Sequence, residues 1–124
     1  MKTVLIAEDN PVNRELLREL LEMRGYAVVE AGDGEQALRH IHENIPDILL
    51  LDLNMPVLDG FGTLERIRQD PRLASLPVLA VTAYAMRGDR EKILSSGFDG
   101  YLSKPITSGE LERELERCSG GIRD

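Results

Sequence analysis

The sequence predicts an open, doubly wound α/β sheet in which five parallel strands alternate with five helices. Three observations carry this. Short apolar runs alternate with amphipathic stretches along the chain, with no repeat, linker or low-complexity run between them. The runs "TVLIA", "DILLLD" and "PVLAVTA" are apolar at successive positions, as strands covered on both faces require. Helices lie between the strands, and helical crossovers between parallel strands are almost always right-handed.

The elements follow in order. "TVLIA" (3–7) reads as the first strand. Asn10 and Pro11 start a helix, as a side-chain cap followed by proline at the first helical position. Val12, Leu16, Leu17, Leu20 and Leu21 recur at helical spacing, and Gly25 fits the stop. "YAVVEA" (26–31) is the second strand. Asp33 and Gln36 have capping-box spacing ahead of a helix that buries Ala37, Leu38 and Ile41. "DILLLD" is the third strand, and Gly60 to Gln69 is a helix with Phe61, Leu64 and Ile67 on one side. Asp70-Pro71 ends it, because a residue before proline avoids helical backbone angles. "PVLAVTA" (77–83) is the fourth strand, and a polar helix over about 87–96 stops at Gly97. Only Ile93 and Leu94 are strongly apolar in that helix. "GYLS" (100–103) is a short fifth strand. Thr107 and Glu110 cap a last helix whose stripe is Leu111, Leu115 and Cys118. The expected domain is 1–119, with 120–124 as a frayed tail.

Composition narrows the function. The 124 residues suffice for one domain, with 42% hydrophobic and 30% charged residues. A net charge of −7 argues against a nucleic-acid partner, which needs a basic footprint. No tract of about 18 apolar residues offers a membrane span. The one cysteine, Cys118, excludes an internal disulfide and fits a reducing cytoplasm. It reads as a small apolar residue of the last helix.

In such sheets ligands bind beyond the carboxyl ends of the strands, where strand order reverses. The first strand runs into Glu8-Asp9, the third ends in Asp52, the fourth in Thr82 and the fifth in Lys104-Pro105. The second ends in Ala31-Gly32, which brings no side-chain chemistry. If the first and third strands are neighbours, three carboxylates converge. Two like charges about 4 Å apart repel by about 4 kcal/mol at an effective dielectric of 20. Lys104 alone does not compensate three acids, so a divalent cation is expected. The donors are all oxygen, which suits Mg²⁺. A hydroxyl, an ammonium and a metal around one carboxylate form a receptor for a tetrahedral dianion, and a carboxylate can attack phosphorus to give an aspartyl phosphate.

Four motifs then carry a resemblance: "LIAEDN", "LLLDLNMPVLDG", "AVTAYA" and "GYLSKPI". Across essentially its whole length the chain resembles the receiver domain of bacterial two-component response regulators. The resemblance implies the CheY-like, flavodoxin-like fold with strand order 2-1-3-4-5. It implies that Asp52 accepts the phosphoryl group and that Glu8 (through water), Asp9, Asp52 and the carbonyl of Asn54 hold Mg²⁺. Lys104 would pair with the phosphoryl group, aimed by a cis bond to Pro105, while Thr82 and Tyr101 form the switch pair and Tyr84 shields the phosphoryl group from water. It further implies a phosphohistidine donor on a sensor histidine kinase or phosphotransfer protein. The output face is the fourth helix, fifth strand and fifth helix, meeting a downstream protein. The domain catalyses its own phosphorylation and slow dephosphorylation and is otherwise no enzyme. A monomer or weak homodimer in the cytoplasm is expected. "AEDNPVNRELL" and "TAYAMRGDREK" resemble receivers of hybrid kinases and stand-alone DivK-type regulators. The end of the chain near the expected domain end fits either a stand-alone regulator or a receiver excised from a longer protein.

Two rival readings remain. Haloacid-dehalogenase-type phosphatases carry a second Asp two residues after the first as general acid and base; Asn54 stands there and cannot exchange a proton. A phosphorylation-independent docking module would show no Mg²⁺ dependence. His40 and His42 sit among charges on the second helix and read as solvated surface residues.

Overall fold

The computed structural model describes residues 2–83 and 87–118, without the side chains of Arg87 and Gly88. The elements are β1 (Thr3–Ala7), α1 (Pro11–Glu22), β2 (Ala27–Ala31), α2 (Gly34–Glu43), β3 (Ile48–Asp52), α3 (Gly60–Arg68), β4 (Val78–Thr82), α4 (Arg87–Ser95), β5 (Gly100–Ser103) and α5 (Ser108–Cys118). All four strand pairings are parallel, and the order is β2-β1-β3-β4-β5. Strand order therefore reverses between β1 and β3, as the site at the strand ends requires.

Side chains alternate across a strand, and the core divides accordingly. Leu5, Ala7, Leu49, Leu51, Val78 and Ala80 pack with Ala37, Ile41, Leu64, Ile67 and Ile93, so α2, α3 and α4 cover one face. Val4, Ile6, Ile48, Leu50, Leu79 and Val81 pack with Leu17, Leu21, Leu111 and Leu115, so α1 and α5 cover the other. Cys118 packs at the edge of this second layer, and burial pushes its thiol up to about 11.

The caps act as their spacing suggests. Asn10 Oδ1 accepts from the N–H groups of Val12 and Asn13 at 2.9 and 3.2 Å. Asp33 accepts from Gln36 N at 2.8 Å, but Gln36 returns to the N–H of Gly32 and not to that of Asp33. Thr107 Oγ1 accepts from Glu110 N at 3.2 Å. Asp59, which the sequence reading passed over, caps α3 by accepting from Gly62 N at 2.8 Å.

One local expectation changes and two are refined. Val12 is 73% exposed and Leu16 46%, whereas Leu17 and Leu21 are buried. At about 100° per residue, Leu16 lies at the flank of the Leu17–Leu21 line and Val12 beyond it, so the five-residue stripe is too wide for one sheet contact. Among the described side chains of α4, Ile93 alone is buried and Leu94 is exposed. Asp70-Pro71 does end α3, but it also opens a 3-10 turn over Pro71–Leu73, with Asp70 accepting from Arg72 N at 2.9 Å. The expected tail at 120–124 lies outside the described residues.

The loop after β3 has two features of backbone origin. A Cβ on Gly60 would lie 2.7 Å from the Asp52 carbonyl and 2.8 Å from Leu53 Cα, so only glycine lets α3 start against the end of β3. Val57 has φ 69°, a left-handed conformation that disfavours a β-branched residue by about 1–2 kcal/mol. Val57 is exposed, so little packing holds it there. Val57→Gly is expected to raise stability by about 0.5–1 kcal/mol after the extra chain entropy of glycine. Urea denaturation checks it, and a lower midpoint would mean that the Val57 side chain makes a contact worth more than the strain.

Candidate phosphoryl and metal site

The strand ends bring the expected residues into one crevice. Because β1 pairs with β3, with Ala7 opposite Leu51, Glu8 and Asp9 emerge beside Asp52. One carboxylate oxygen from each of the three lies within 4.8 Å of the others. Glu8 and Asp52 are 1% and 2% exposed, whereas Asp9 is exposed. The acids therefore form a buried pair with a solvent-facing third, an asymmetry that local spacing does not reveal.

Lys104 answers the buried pair. Its Nζ donates to Asp52 Oδ2 at 3.0 Å and to Glu8 Oε1 at 3.2 Å. The side chain leaves β5 next to Thr82, whose carbonyl accepts from Lys104 N at 2.8 Å, and the Lys104–Pro105 peptide bond is cis. Burial works against the ammonium charge, but Asp52 and Glu8 outweigh it, so the Lys104 pKa is raised. Glu8 is raised to about 7, first by burial, then by Asp52, with Asn13 and Lys104 pulling the other way. One lysine thus does not neutralise the cluster, and a proton on Glu8 makes up part of the shortfall. The donor set is all oxygen, two of the carboxylates are buried, and no histidine or cysteine joins the described group. This fits a hard divalent cation such as Mg²⁺.

The other expected residues lie around this group. The Asn54 N–H donates to Asp52 Oδ1 at 3.0 Å and pins the carboxylate. Thr82 is 2% exposed at the end of β4. Thr82 and Asn54 also line a cavity of about 140 Å³ with Phe61, Asp89, Lys92 and Ile93. Tyr101 is half-buried and turned toward α4, where Arg90 Nε donates to its hydroxyl and the guanidinium stands 5.3 Å from the ring centroid. Tyr84 lies outside the described residues.

Sequence reasoning passed over two side chains. Asn13 Nδ2 donates to Glu8 Oε1 at 3.1 Å, although "EDNPVN" places it one helical turn beyond the acids. Arg90 holds Tyr101 from α4, a helix the sequence assigned to the output face without singling out this residue. His42 is exposed and His40 half-buried, both away from this crevice on α2.

Comparison with known proteins agrees with this geometry. Residues 4–116 match the model of the response regulator receiver domain. The chain is 41% identical over 106 residues to the polar-differentiation response regulator DivK of Brucella anthropi, covering 86% of each chain. Among solved structures, the receiver domain of a sensor histidine kinase from Pseudomonas aeruginosa, with a magnesium ion coordinated in its active site cleft, is 39% identical. The TM-score is 0.88, and the match covers 96% of this chain and 98% of that one. The Vibrio cholerae chemotaxis protein CheY4 is 29% identical with a TM-score of 0.88, covering 95% and 98% of the two chains. Among the described residues no helix is long and apolar enough to cross a membrane. With its strand order, its acidic crevice and a family match over nearly all of its length, the chain belongs to the response regulator receiver domains, which act in signalling as phosphoacceptors.

Proposed function

We propose that Asp52 is the residue phosphorylated, and that the donor is a phosphohistidine of a sensor histidine kinase or phosphotransfer protein. The observation that carries this is the buried Asp52 carboxylate held between the Lys104 ammonium at 3.0 Å and the Asn54 N–H at 3.0 Å, beside two further acids. An Asp52 oxygen attacks the phosphorus, an O–P bond forms, the P–N bond breaks, and its electron pair stays on the departing imidazole nitrogen. Lys104 follows the charge by exchanging part of its contact with Glu8 for a phosphoryl oxygen. Glu8, Asp9, Asp52 and the Asn54 carbonyl are the residues that would hold Mg²⁺. When bound, the cation neutralises charge on the phosphoryl oxygens and on the acids.

Switching runs through Thr82 and Tyr101. A phosphoryl oxygen draws the Thr82 hydroxyl toward it, and the Tyr101 ring turns into the space vacated. The face of α4, β5 and α5 then presents a different surface to a downstream protein. Moving a two-state equilibrium from 1:99 to 99:1 takes roughly 5.5 kcal/mol, while one charge-assisted hydrogen bond supplies about 1.5–3 kcal/mol. The Arg90–Tyr101 contact must also be released. A bound partner therefore contributes to the shift. A monomer or weak homodimer acting in the cytoplasm fits this role, with self-catalysed phosphorylation and slow dephosphorylation.

The test uses acetyl phosphate and Mg²⁺. Mass spectrometry should find one added phosphoryl group on the wild-type chain and none on Asp52→Asn, because an amide is no nucleophile. NMR of the same samples should show shifts around residue 52 and across 82–104 in the wild type alone. Phosphate on a serine or threonine would defeat the assignment of Asp52, and shifts confined to its neighbourhood would defeat the switch.

A further inference from the structure

Asn13 stands at the third helical position of α1, after the cap Asn10 and Pro11. A polar side chain there ordinarily reaches back to the N–H of the cap residue. Asn13 turns instead toward the crevice, and its Nδ2 donates to Glu8 Oε1 at 3.1 Å. The next residue grips the same acid by its backbone: Arg14 Nη1 donates to the Glu8 carbonyl at 2.9 Å, while its Nε is anchored on Glu30 at 3.0 Å. The first turn of α1 thus holds both the side chain and the main chain of Glu8.

Lys104 also touches Glu8, but in a different way. Its ammonium is shared with Asp52 and sits on a flexible four-carbon stem. Asn13 is a short neutral amide on a helix, and its donor is directed at Glu8 alone of the two buried acids. A carboxylate has about four acceptor positions; Asn13 takes one on Oε1, while Lys104 reaches Oε1 at 3.2 Å and Oε2 at 3.4 Å. We infer that Asn13 is a positioning residue for the metal site: its amide fixes the buried Glu8 carboxylate in the orientation from which Glu8, Asp9 and Asp52 close on Mg²⁺, whether or not Lys104 remains on Glu8. The inference rests on the Mg²⁺ reading of this crevice.

The experiment compares the wild type with Asn13→Ala and Asn13→Leu, the latter keeping the shape of the side chain without its donor. Asn13 is partly exposed, so both variants should fold. Mg²⁺ is titrated by NMR, and melting is recorded in EDTA and in saturating Mg²⁺. Both variants should bind Mg²⁺ about tenfold more weakly, the scale of losing a partner that orients a metal ligand. The melting shift at a fixed, subsaturating Mg²⁺ concentration should shrink as well. A purely structural role would move the EDTA and Mg²⁺ melts together and leave the affinity unchanged, which overturns the inference. Wild-type affinity in Asn13→Leu alone would assign the effect to packing and overturns it too. A wild type that ignores Mg²⁺ would instead overturn the metal reading itself.

Discussion

In EDTA the wild type should lose stability relative to Glu8→Gln as pH rises from about 4.5 to about 7, opposite to the usual behaviour of a carboxylate paired with a cation. Glu8 takes its proton at about 7 in the folded chain against 4.5 for the free side chain. Between these values the folded state holds a proton that the unfolded state has released, so stability falls with rising pH. The stabilisation from protonated Glu8 is full below 4.5 and gone above about 7. A shift of this size corresponds to roughly 3 kcal/mol. The proton belongs to the cluster as much as to Glu8, because Asp52 is the second cause of the shift. Saturating Mg²⁺ should reverse the slope, since a cation binds the ionised acids and competes with the proton. The measurement is a series of melts at pH 5, 6, 7 and 8, taken against Glu8→Gln. That variant cannot ionise at position 8, so the difference between the two curves isolates the Glu8 contribution. A wild type that gains stability relative to Glu8→Gln as pH rises would contradict a buried, crowded Glu8.

Lys104→Met should have an effect of similar size. The substitution keeps an apolar stem in place and removes the ammonium between Glu8 and Asp52. Taking one partner from a buried pair costs about 3–5 kcal/mol because the other charge is left uncompensated. Lys104 is 24% exposed, which places the expectation at the lower end, about 3 kcal/mol at pH 8, or a fall in Tm on the order of 10 °C. At pH 5 the loss should shrink, because protonated Glu8 no longer needs the ammonium. With Mg²⁺ present the melt should recover in part, since a cation replaces the missing charge. A loss below about 1 kcal/mol at pH 8 in EDTA would place Lys104 among ordinary surface ion pairs. The phosphoryl group would also lose its ammonium partner, so Lys104→Met should weaken the spread of NMR shifts into 82–104 even where Asp52 is still phosphorylated.

Both effects arise from contacts between distant parts of the chain. Lys104 meets Glu8 across 96 positions and Asp52 across 52. Apolar alternation, caps and glycine stops act over a few residues, and they were enough to place every strand and every α-helix of the described residues, though not the 3-10 turn over Pro71–Leu73. They also placed Glu8, Asp9, Asp52, Thr82 and Lys104 at or just beyond the carboxyl ends of apolar strands. Parallel strands put those ends on one side, so the composition of the crevice could be read from the order of the chain alone.

Burial was decided elsewhere. Val12 and Leu16 repeat at helical spacing, yet the sheet has room for only the Leu17–Leu21 line, so width of contact and not periodicity chose the buried face of α1. Leu94 lost to Ile93 in α4 in the same way. The three acids look alike in sequence, but Glu8 is buried and Asp9 stays in solvent once the strands and helices pack. Asn13 and Arg90 lie within quoted motifs but were not singled out, because the contact of each depends on how its helix docks. The amino-acid sequence by itself determined the elements, the family motifs and the identity of the charged groups. The packing of helices on the sheet decided which charges are buried, which share a lysine, and which neutral side chain holds Glu8, since desolvation and hydrogen bonding depend on three-dimensional distances that local propensity does not contain.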